Sequence, residues 1–305
     1  MVVQGAFNAL FRPGLRDDFR DSYQEYEPEY NQFLRESTTD LPEQRATIIA
    51  GLSRFFERYD GEPLTYDTPK QGPVVAGVDK EFALGFMITR RTVEDDQYNK
   101  ANQSAKWLGH AANMTKEYRS AALLDDAFAG STFKGIDNLS LINAAHTLIN
   151  SDATVANTPD SNSQFGVSMT GVTTFFDLAQ NIKDENGDPM KTFPDTIVIS
   201  NAAPDWHRAL QIFGTEKEPF TAENQDNAVR KRLATPKIVV SRYKSSTRSW
   251  FMIDSKLNDA HFVTRRALTF DDDFDFNTDA ALYKATMRFL IWFVDWRGWL
   301  GSNPT

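Results

Sequence analysis

The sequence predicts an α+β protein built around one long helix. Three features support this prediction: a proline-free run from Thr92 to Phe128, alternating helix-like and strand-like segments between residues 169 and 255, and an aromatic, β-branched run from Ala281 to Trp299. Apolar residues in the first run recur mostly every three or four positions, which is the period of an amphipathic helix. One helix of this length would extend roughly 55 Å. Such a helix is typical of a spine against which other elements pack.

Signals at both ends of the run fit a single helix. Thr92 can cap its N-terminus, and residues 94–96 are acidic where the helix dipole favours carboxylates. Gly130 follows as a terminator. Gly109, inside the run, is the position at which a kink would divide it into two helices.

Composition limits the class of protein. The chain has 305 residues, 41% of them apolar, which is enough for one large domain or two ordinary ones. It has no cysteine, so disulfides and thiolate metal sites are excluded and folding in the cytoplasm is favoured. The N-terminus lacks the pattern of an export signal, and the longest apolar run, Phe289–Val294, is too short to cross a bilayer. We therefore expect a soluble protein.

The net charge of -9 opposes tight non-specific binding of nucleic acid. Such binding depends on lysine and arginine side chains that displace counterions from phosphates. If the protein meets DNA, we expect it to do so by confinement.

The first part of the chain is harder to interpret. Residues 1–40 carry many aromatic side chains among charges without a clean period, and we expect an arm that becomes ordered on another surface. The alternative is that this segment packs on its own domain. Asp40 and Glu43 resemble a capping box, and Ile48, Leu52, Phe55 and Tyr59 would share one face of a short helix ending near Gly61.

Residues 62–89 are predicted to form the two extended arms of a hairpin. The segment begins with glycines and prolines and continues as the partly alternating run Glu81–Thr89. A two-stranded ribbon is marginal alone in water, so we expect this hairpin to rest on another chain.

The second half of the chain reads as loops followed by a compact α/β subdomain and long terminal strands. The predicted elements are a loop-rich stretch Phe133–Ser168, a helix with Val172, Phe175, Phe176, Ala179 and Ile182 on one face, a strand Thr196–Ser200, a helix capped by Asn201 that carries Trp206, Leu210 and Phe213, strands Lys237–Tyr243, Trp250–Ile253 and Ala260–Phe270, an acidic loop from Asp271 to Phe276, and a strand covered on both faces at Phe289–Val294.

Residue patterns that would indicate catalysis are weak. His110, His146, His207 and His261 fall on different predicted elements, and none belongs to a helical pair with metal-ligand spacing. Nucleophile elbows, phosphate-binding glycine loops and dinucleotide fingerprints are lacking from the sequence. We therefore expect ordinary hydrogen-bonded or surface histidines.

Three further clusters allow a functional and a structural interpretation. Asp271, Asp272, Asp273 and Asp275 could bind a hard cation, although a solvated turn is the simpler explanation. The pairs Asp95–Asp96 and Asp125–Asp126 do not converge, since adjacent helical residues point about 100° apart. The run Trp292, Trp296 and Trp299 could stack on bases or sugars, but packing is the expected role.

Four stretches together resemble one known family. Glu81–Ala112, Thr115–Gly130, Gly135–Ser151 and Phe293–Gly301 are similar, in the correct order, to segments of the major capsid proteins of tailed bacteriophages with the Hong Kong ninety-seven type of fold. The second stretch resembles the end of the family's spine helix, the third its Asp-Gly-x-x-Leu…His segment, and the fourth its C-terminal Arg-Gly ending. Asn138 departs from the pattern, because relatives often have glycine after the aspartate.

The resemblance implies a division of the chain. It implies an N-terminal arm with a short helix at residues 1–60, an extended loop at 61–90, a peripheral domain with the spine helix at 91–168 and 256–305, and an axial α/β domain at 169–255. Some relatives cross-link a lysine of the extended loop to an asparagine of a neighbour. Lys70 and Lys80 are available here, but the sequence does not pair either with an asparagine.

The resemblance also implies a function. The chain would be the major head subunit, which self-assembles into hexamers and pentamers of an icosahedral shell enclosing double-stranded DNA. It would be assembled in the cytoplasm of the host bacterium and reside in the virion. Its partners would be other copies of itself, a portal, and separate scaffolding or decoration proteins. The resemblance implies no cofactor, metal ion, catalytic residue or membrane.

The sequence also allows two alternative functions. An encapsulin-like compartment would use the same fold to enclose protein cargo. A metal-dependent hydrolase would use the carboxylates of Asp271–Asp275.

Overall fold

The computed structural model describes residues 4–89, 91–92, 100–160, 164–219, 225–233, 236–275 and 277–304. The helices are α1 Gln4–Gln24, α2 Lys100–Asp125, α3 Met169–Asn181, α4 Ala203–Gly214 and α5 Ala228–Leu233, with a short 3-10 turn at Tyr30–Gln32. The strands are β1 Arg35–Thr38, β2 Glu43–Ala50, β3 Lys70–Val78, β4 Lys80–Thr89, β5 His146–Thr147, β6 Thr154–Val155, β7 Thr196–Ser200, β8 Lys237–Ser241, β9 Trp250–Ile253, β10 Ala260–Asp275, β11 Ala280–Phe293 and β12 Trp299–Ser302.

Two four-stranded sheets organise the chain. One has the order β1-β10-β11-β4, in which β1 runs parallel to β10 and the other neighbours are antiparallel. The other has the order β12-β9-β7-β8, with a parallel β7–β8 pair. Antiparallel pairing of β2 with β3 makes a separate two-stranded ribbon. The molecule is therefore of the α+β class, as predicted.

The predicted spine is present as α2, which runs without a break through Gly109. At about 1.5 Å per residue its 26 residues extend roughly 39 Å. The cap predicted at Thr92 is wrong, because Thr92 itself lies in a helical turn. Its backbone N–H donates to Thr89 Oγ1, so Thr89 takes the capping role. The acidic residues 94–96 lie outside the described residues. Gly130 has the positive φ of 59° expected of a terminator.

The N-terminal segment packs on its own chain, so the expectation of an arm ordered elsewhere is wrong for residues 14–34. Helix α1 crosses α2, and the Cβ that an alanine would add at Gly109 would lie 2.5 Å from Phe19 O. Leu15 and Phe19 are buried, and Asn113 Nδ2 donates to Tyr23 O at 2.6 Å. The irregular pattern of aromatic residues did not indicate this helix, because the residues against which it packs lie far away in sequence.

The predicted helix from Asp40 to Gly61 is wrong. Residues 43–50 form strand β2, and residues 51–69 have no regular secondary structure apart from a turn. Thr47, Ile48 and Ile49 are consecutive β-branched residues, which favour a strand, and β3 supplies the partner that the helix interpretation did not consider. The capping-box pattern at Asp40 was coincidental.

The hairpin predicted at residues 62–89 is also wrong in its pairing. Strands β3 and β4 do not pair with each other: β3 pairs with β2, and β4 pairs with β11. The ribbon therefore begins earlier than predicted, at Glu43. Pro73 is tolerated in β3 because the ribbon has only two strands and exposes its edges.

Most predicted elements of the second half are confirmed. Helix α3 and strands β7, β8 and β9 lie where they were expected, and β7 and β9 are completely buried. Helix α4 begins after Ala202 without a side-chain cap, so the expected cap at Asn201 is wrong. The predicted acidic loop is wrong because β10 continues to Asp275. On β11, Phe289, Ile291 and Phe293 are buried while the residues between them are half-buried.

The core consists of two clusters of buried side chains. The larger one joins the two sheets through α3, the end of α2 and the C-terminal aromatic residues. The smaller one lies between α1, α2 and the β4–β11 region, and it contains Leu15, Phe19, Ile88, Ala101, Ala105, Leu108, Ala281, Tyr283 and Ala285.

Candidate assembly surfaces

The largest concentration of exposed apolar side chains lies at the free end of the ribbon. Residues 51–69, here called the ribbon tip, connect β2 to β3, and each of these residues is exposed. Exposed large side chains of the tip are Leu52, Phe55, Phe56, Tyr59, Leu64 and Tyr66. Contiguous apolar surface of this kind marks sites of protein association.

Local hydrogen bonds shape the tip. Ser53 donates to Asp67 Oδ2 from both its backbone N–H at 2.8 Å and its hydroxyl at 2.7 Å. A turn follows at Tyr59–Glu62, closed by the Glu62 N–H on Tyr59 O, with Gly61 at a φ of 86°. The bonds from Ser53 hold the pKa of Asp67 below its usual range. The tip therefore has defined structure but buries almost none of its apolar side chains.

The ribbon contacts the rest of its own chain at a few small sites. At its root, the Cβ that an alanine would add at Gly77 would lie 2.7 Å from Leu290 and 3.1 Å from Trp292. Farther out, Gly72 touches Ile149 in the same close way. Within the tip, Arg54 forms an ion pair with Asp188. Apolar side chains of the ribbon strands, such as Val74 and Val78, stay exposed beside these contacts.

Two further apolar surfaces are exposed. Met87 on β4 lies beside Leu282 on β11, and Leu84 is exposed on the opposite face of β4. On α2, Trp107 and Tyr118 point away from the core. Both surfaces lie on regular elements, so their side chains are held at fixed spacing.

A buried polar cluster orders the loop-rich segment after α2. His146 Nδ1 lies 2.6 Å from Asp137 Oδ2, and its ring stacks on Trp296 with 3.9 Å between ring centroids. Asn157 donates to Leu141 O and Trp299 O, and accepts the Asn143 N–H. His146 is thus a buried, hydrogen-bonded residue, as expected of an ordinary histidine. The cluster ties residues 137–157 to the C-terminus.

The turn containing Asn138 has the geometry that glycine would also provide. Asn138 has a φ of 59°, in the left-handed region that glycine and asparagine tolerate best. Its N–H donates to Gly135 O, and Asp137 Oδ1 accepts the Leu139 N–H. The departure from the family pattern therefore leaves this turn intact.

The Arg-Gly ending has a structural reason. Arg297 is buried and pairs with Glu185 at 2.7 Å and with Asp295 at 2.9 Å. The Cβ that an alanine would add at Gly298 would lie 2.6 Å from the backbone carbon of Leu257. This site therefore requires glycine for close approach of two backbone segments.

The acidic residues suspected of metal binding lie on strand β10. Asp271, Asp272 and Asp273 pair in register with Lys284, Tyr283 and Leu282 of β11, so successive carboxylates point to opposite faces of the sheet. Asp275 accepts the Asn277 N–H and the Thr278 hydroxyl at the end of the hairpin. Across the described residues, no group of three or more metal-ligating side chains is positioned to hold an ion.

The two carboxylates at the end of α2 have separate structural roles. Asp125 accepts the backbone N–H groups of Ser245 at 3.0 Å and Ser246 at 3.1 Å, which joins the spine to the β8–β9 turn. Asp126 accepts backbone N–H groups of residues 131–133. Burial by itself would raise the pKa of Asp126, but these hydrogen bonds outweigh burial and lower it. Asp95 and Asp96 lie outside the described residues.

The remaining candidates are dispersed. His110 packs on Tyr26, His207 stacks on Trp206, and His261 Nε2 lies 2.7 Å from Asp259. Trp296 and Trp299 are buried, so the stacking platform suggested by the tryptophan run is wrong. Lys70 begins β3 at the tip end of the ribbon, and Lys80 begins β4 at the ribbon root. Within the described residues, no helix is long and apolar enough to span a membrane.

Solved structures share this fold. The procapsid of bacteriophage JBD30 matches with a TM-score of 0.55 and 12% identity, covering 98% of this chain and 76% of that one. The capsid of cyanophage P-SCSP1u matches with a TM-score of 0.57 and 14% identity, covering 89% and 86%. The virus-like particle from Pyrococcus furiosus matches with a TM-score of 0.52 and 10% identity, covering 95% and 98%.

These similarities lie in the fold. No protein-family model and no curated protein sequence matches the chain. The matched structures extend over nearly the whole chain at low identity, so what is shared is the path of the backbone. The fold is that of the tailed-phage major capsid proteins, as the sequence motifs predicted.

Proposed function

We propose that this chain is the major subunit of a tailed-phage head shell. Copies assemble as hexamers and pentamers into an icosahedral shell that encloses packaged double-stranded DNA. The observation that carries the proposal is the ribbon tip, which exposes Phe55, Phe56 and their apolar neighbours on an arm that has no core of its own. Burial of one such aromatic side chain contributes about 2 kcal/mol, so a neighbouring copy that covers the tip gains considerable free energy.

The two sheets support a division into a peripheral and an axial part. We propose that residues 91–168 and 256–305 form the peripheral domain around α2 and the β10–β11 hairpin. Residues 169–255 form the axial domain and contribute β7, β8 and β9 to its sheet, to which β12 from the C-terminal segment adds the fourth strand. The ribbon, residues 43–78, is then the extended loop that lies over an adjacent subunit.

The charge of the chain suits a container for DNA. A net charge of -9 disfavours tight binding to phosphates, so packaged DNA can slide and leave again. We propose that DNA is held by confinement, that a portal and separate scaffolding or decoration proteins complete the head, and that the shell assembles in the host cytoplasm and resides in the virion. The subunit acts structurally, without a catalytic cycle.

A protein compartment is the second candidate. Similarity to the virus-like particle from Pyrococcus furiosus favours it, because that particle is an assembly with the same fold from a cellular organism. The two candidates differ in what the shell encloses. Nuclease-protected DNA inside particles purified from infected cells supports the phage head, and a single enriched protein cargo supports the compartment.

Replacing the two tip phenylalanines tests the role of the ribbon. We expect Phe55→Ala combined with Phe56→Ala to leave the subunit folded, since both side chains are exposed in the single chain. Shell formation should require at least about tenfold higher subunit concentration, because each lost contact weakens association by about 1.4 kcal/mol or more. Light scattering across a concentration series measures this threshold.

Glu57→Ala is the matched control for this experiment. It removes an exposed side chain next to the same phenylalanines without removing apolar area. The control should assemble at the wild-type concentration. An unchanged threshold for the double phenylalanine variant would contradict the role assigned to the ribbon tip.

A further inference from the structure

Two connections join the ribbon to the four-stranded sheet: residues 39–42 link β1 to β2, and a single residue links β3 to β4. Strand β3 of the ribbon ends at Val78, and β4 of the four-stranded sheet begins at Lys80. Asp79 is the residue between them, and the two strands pair with different partners. Asp79 is therefore the shorter of the two connections between the ribbon and the sheet.

The side chain of Asp79 is buried between two arginines. Arg265 Nη1 of β10 donates to Asp79 Oδ1 at 2.9 Å, and Arg288 Nε of β11 lies 2.7 Å from Asp79 Oδ2. The Asp79 side chain is only 4% exposed, whereas both arginines are partly exposed. The Arg288 contact is an ion pair whose N–H is not aligned for a hydrogen bond. Each carboxylate oxygen thus faces a cation from a different strand of the sheet.

Other contacts of the ribbon are weaker determinants of its direction. Gly72 and Gly77 touch Ile149 and Trp292 through close but non-directional packing. Within the tip, Arg54 pairs with Asp188, but the Arg54 side chain is largely exposed. Exposed ion pairs contribute little because water and salt screen them. Asn186 Nδ2 also donates to Gly51 O and Leu52 O, but these hydrogen bonds are exposed. The carboxylate at the root is the directional contact that is buried.

We propose that Asp79, held by Arg265 and Arg288, is a positioning residue that sets the angle of the ribbon to the four-stranded sheet. The consequence for shells rests on the proposed function, in which the ribbon reaches a neighbouring copy. A small change in this angle displaces the far end of the ribbon by several ångströms. A ribbon of eight paired residues is roughly 27 Å long, so a rotation of about 10° at its root moves the far end by about 5 Å.

The angle can be measured in single subunits. The chain has no cysteine, so Thr65→Cys in the tip and Gln103→Cys on α2 provide two unique spin-label sites. Pulsed electron paramagnetic resonance on dilute, unassembled subunits gives the distance distribution between them. We expect Asp79→Asn to broaden this distribution about twofold, because the amide cannot satisfy two guanidinium groups. A distribution identical to wild type would overturn the proposal.

Two matched variants separate positioning from general disruption. Asp79→Glu keeps the charge between the arginines and should restore a narrow distribution. Glu81→Gln breaks the neighbouring exposed pair with Arg266, at 2.6 Å on the same sheet, and should leave the distribution unchanged. If Glu81→Gln broadens the distribution as much as Asp79→Asn, the proposal is overturned.

The arginines keep the proposal testable if Asp79→Asn does not fold. Arg265→Gln and Arg288→Gln each remove one partner and leave the other in contact with Asp79. Each should broaden the same distribution, by less than the loss of the carboxylate. Wild-type distributions for both folded arginine variants would overturn the proposal.

A separate experiment measures how many closed shells each variant forms. We expect Asp79→Asn subunits to form at least about tenfold fewer closed shells than wild type, with the remainder as open or irregular assemblies. If the wild-type chain forms no shells, even after a candidate scaffolding protein is added, the proposed function fails while the spin-label distances still test the positioning role. If shells form normally despite a broadened ribbon distribution, the importance of the angle for shells is overturned.

Discussion

Glu117 lies in the middle of α2 with its carboxylate turned inward. Its Oε1 accepts the backbone N–H of Glu29 at 2.7 Å, so it links the spine to the segment that follows α1. Burial raises the pKa of Glu117 to about 7; the hydrogen bond from the Glu29 N–H opposes this rise, and the charge of the Glu29 carboxylate adds to it. A hydrogen bond between distant segments is thus made by a group that titrates near neutral pH.

This raised pKa predicts a pH dependence of stability. The folded state binds the Glu117 proton more tightly than the unfolded state, whose pKa is near 4.5. The contribution of Glu117 is therefore complete below about pH 4.5 and is lost as the pH rises through about 7. We expect the free energy of unfolding of wild type to fall by about 2 kcal/mol between pH 5 and pH 8, relative to Glu117→Gln. Urea unfolding of both proteins measures this.

Glu117→Gln is the appropriate reference because its amide oxygen can still accept the Glu29 N–H without ionising. Other titrating groups cancel in the difference between the two proteins. A difference that is constant across the pH range would contradict the raised pKa.

Side-chain roles at the residue scale were only partly predictable. The motif that contains Asp137 and His146 was recognised from the sequence, but its partner Asn157 was not, since an isolated asparagine in a loop carries no pattern. Asp79 was missed for the same reason: an aspartate between two strands looks like an ordinary turn residue. Its importance depends on Arg265 and Arg288, which are far away in sequence.

The crossing of α1 over α2 is the main interaction at the scale of elements that the sequence did not predict. Gly109 sits at the crossing, where an added Cβ would lie 2.5 Å from Phe19 O and 3.2 Å from Tyr23 N. Alanine is intrinsically favoured over glycine in a helix by about 1 kcal/mol. Here the clash with backbone atoms of α1 outweighs that preference.

We therefore expect Gly109→Ala to destabilise the protein by roughly 1–3 kcal/mol. Gly14→Ala is the matched control, because Gly14 lies within α1 and nothing would contact an added Cβ there. The control should stabilise the protein by up to about 1 kcal/mol. Thermal unfolding followed by circular dichroism distinguishes the two effects. A Gly109→Ala protein as stable as the control would contradict close packing of the helices.

Elements with strong local signals were predicted correctly, and elements defined by a distant partner were not. The face of α3 and the apolar composition of β7 and β9 are visible in short windows of sequence. Strand β2 was taken for a helix because its pairing with β3 spans residues 51–69, and a short window contains no information about such a pair. The local sequence of β2 allows a helix or a strand, and pairing with β3 selects the strand.

At the scale of the whole molecule, the subunit is folded in two sheets yet carries an arm that its own core does not cover. The ribbon tip and the exposed faces of β4 and α2 together present Phe55, Leu84 and Trp107 to solvent. The sequence showed that these residues are apolar, but it could not show that they lie outside the core. Under the proposed function, a second copy of the chain covers them.

The fold could nevertheless be predicted from the sequence, because several motifs that resemble one family occur in the correct order along the chain. The predicted order matches a fold shared with the JBD30 procapsid over 98% of the chain. The path of the ribbon and the pairing of its strands could be determined only from the structure.

Electron microscopy of the purified chain after size-exclusion chromatography tests the central claim most directly. We predict closed polyhedral shells, or rings of five and six subunits, at concentrations above the assembly threshold. Wild-type protein that remains a uniform small particle at every concentration, and also after a candidate scaffolding protein is added, would contradict assembly into a shell.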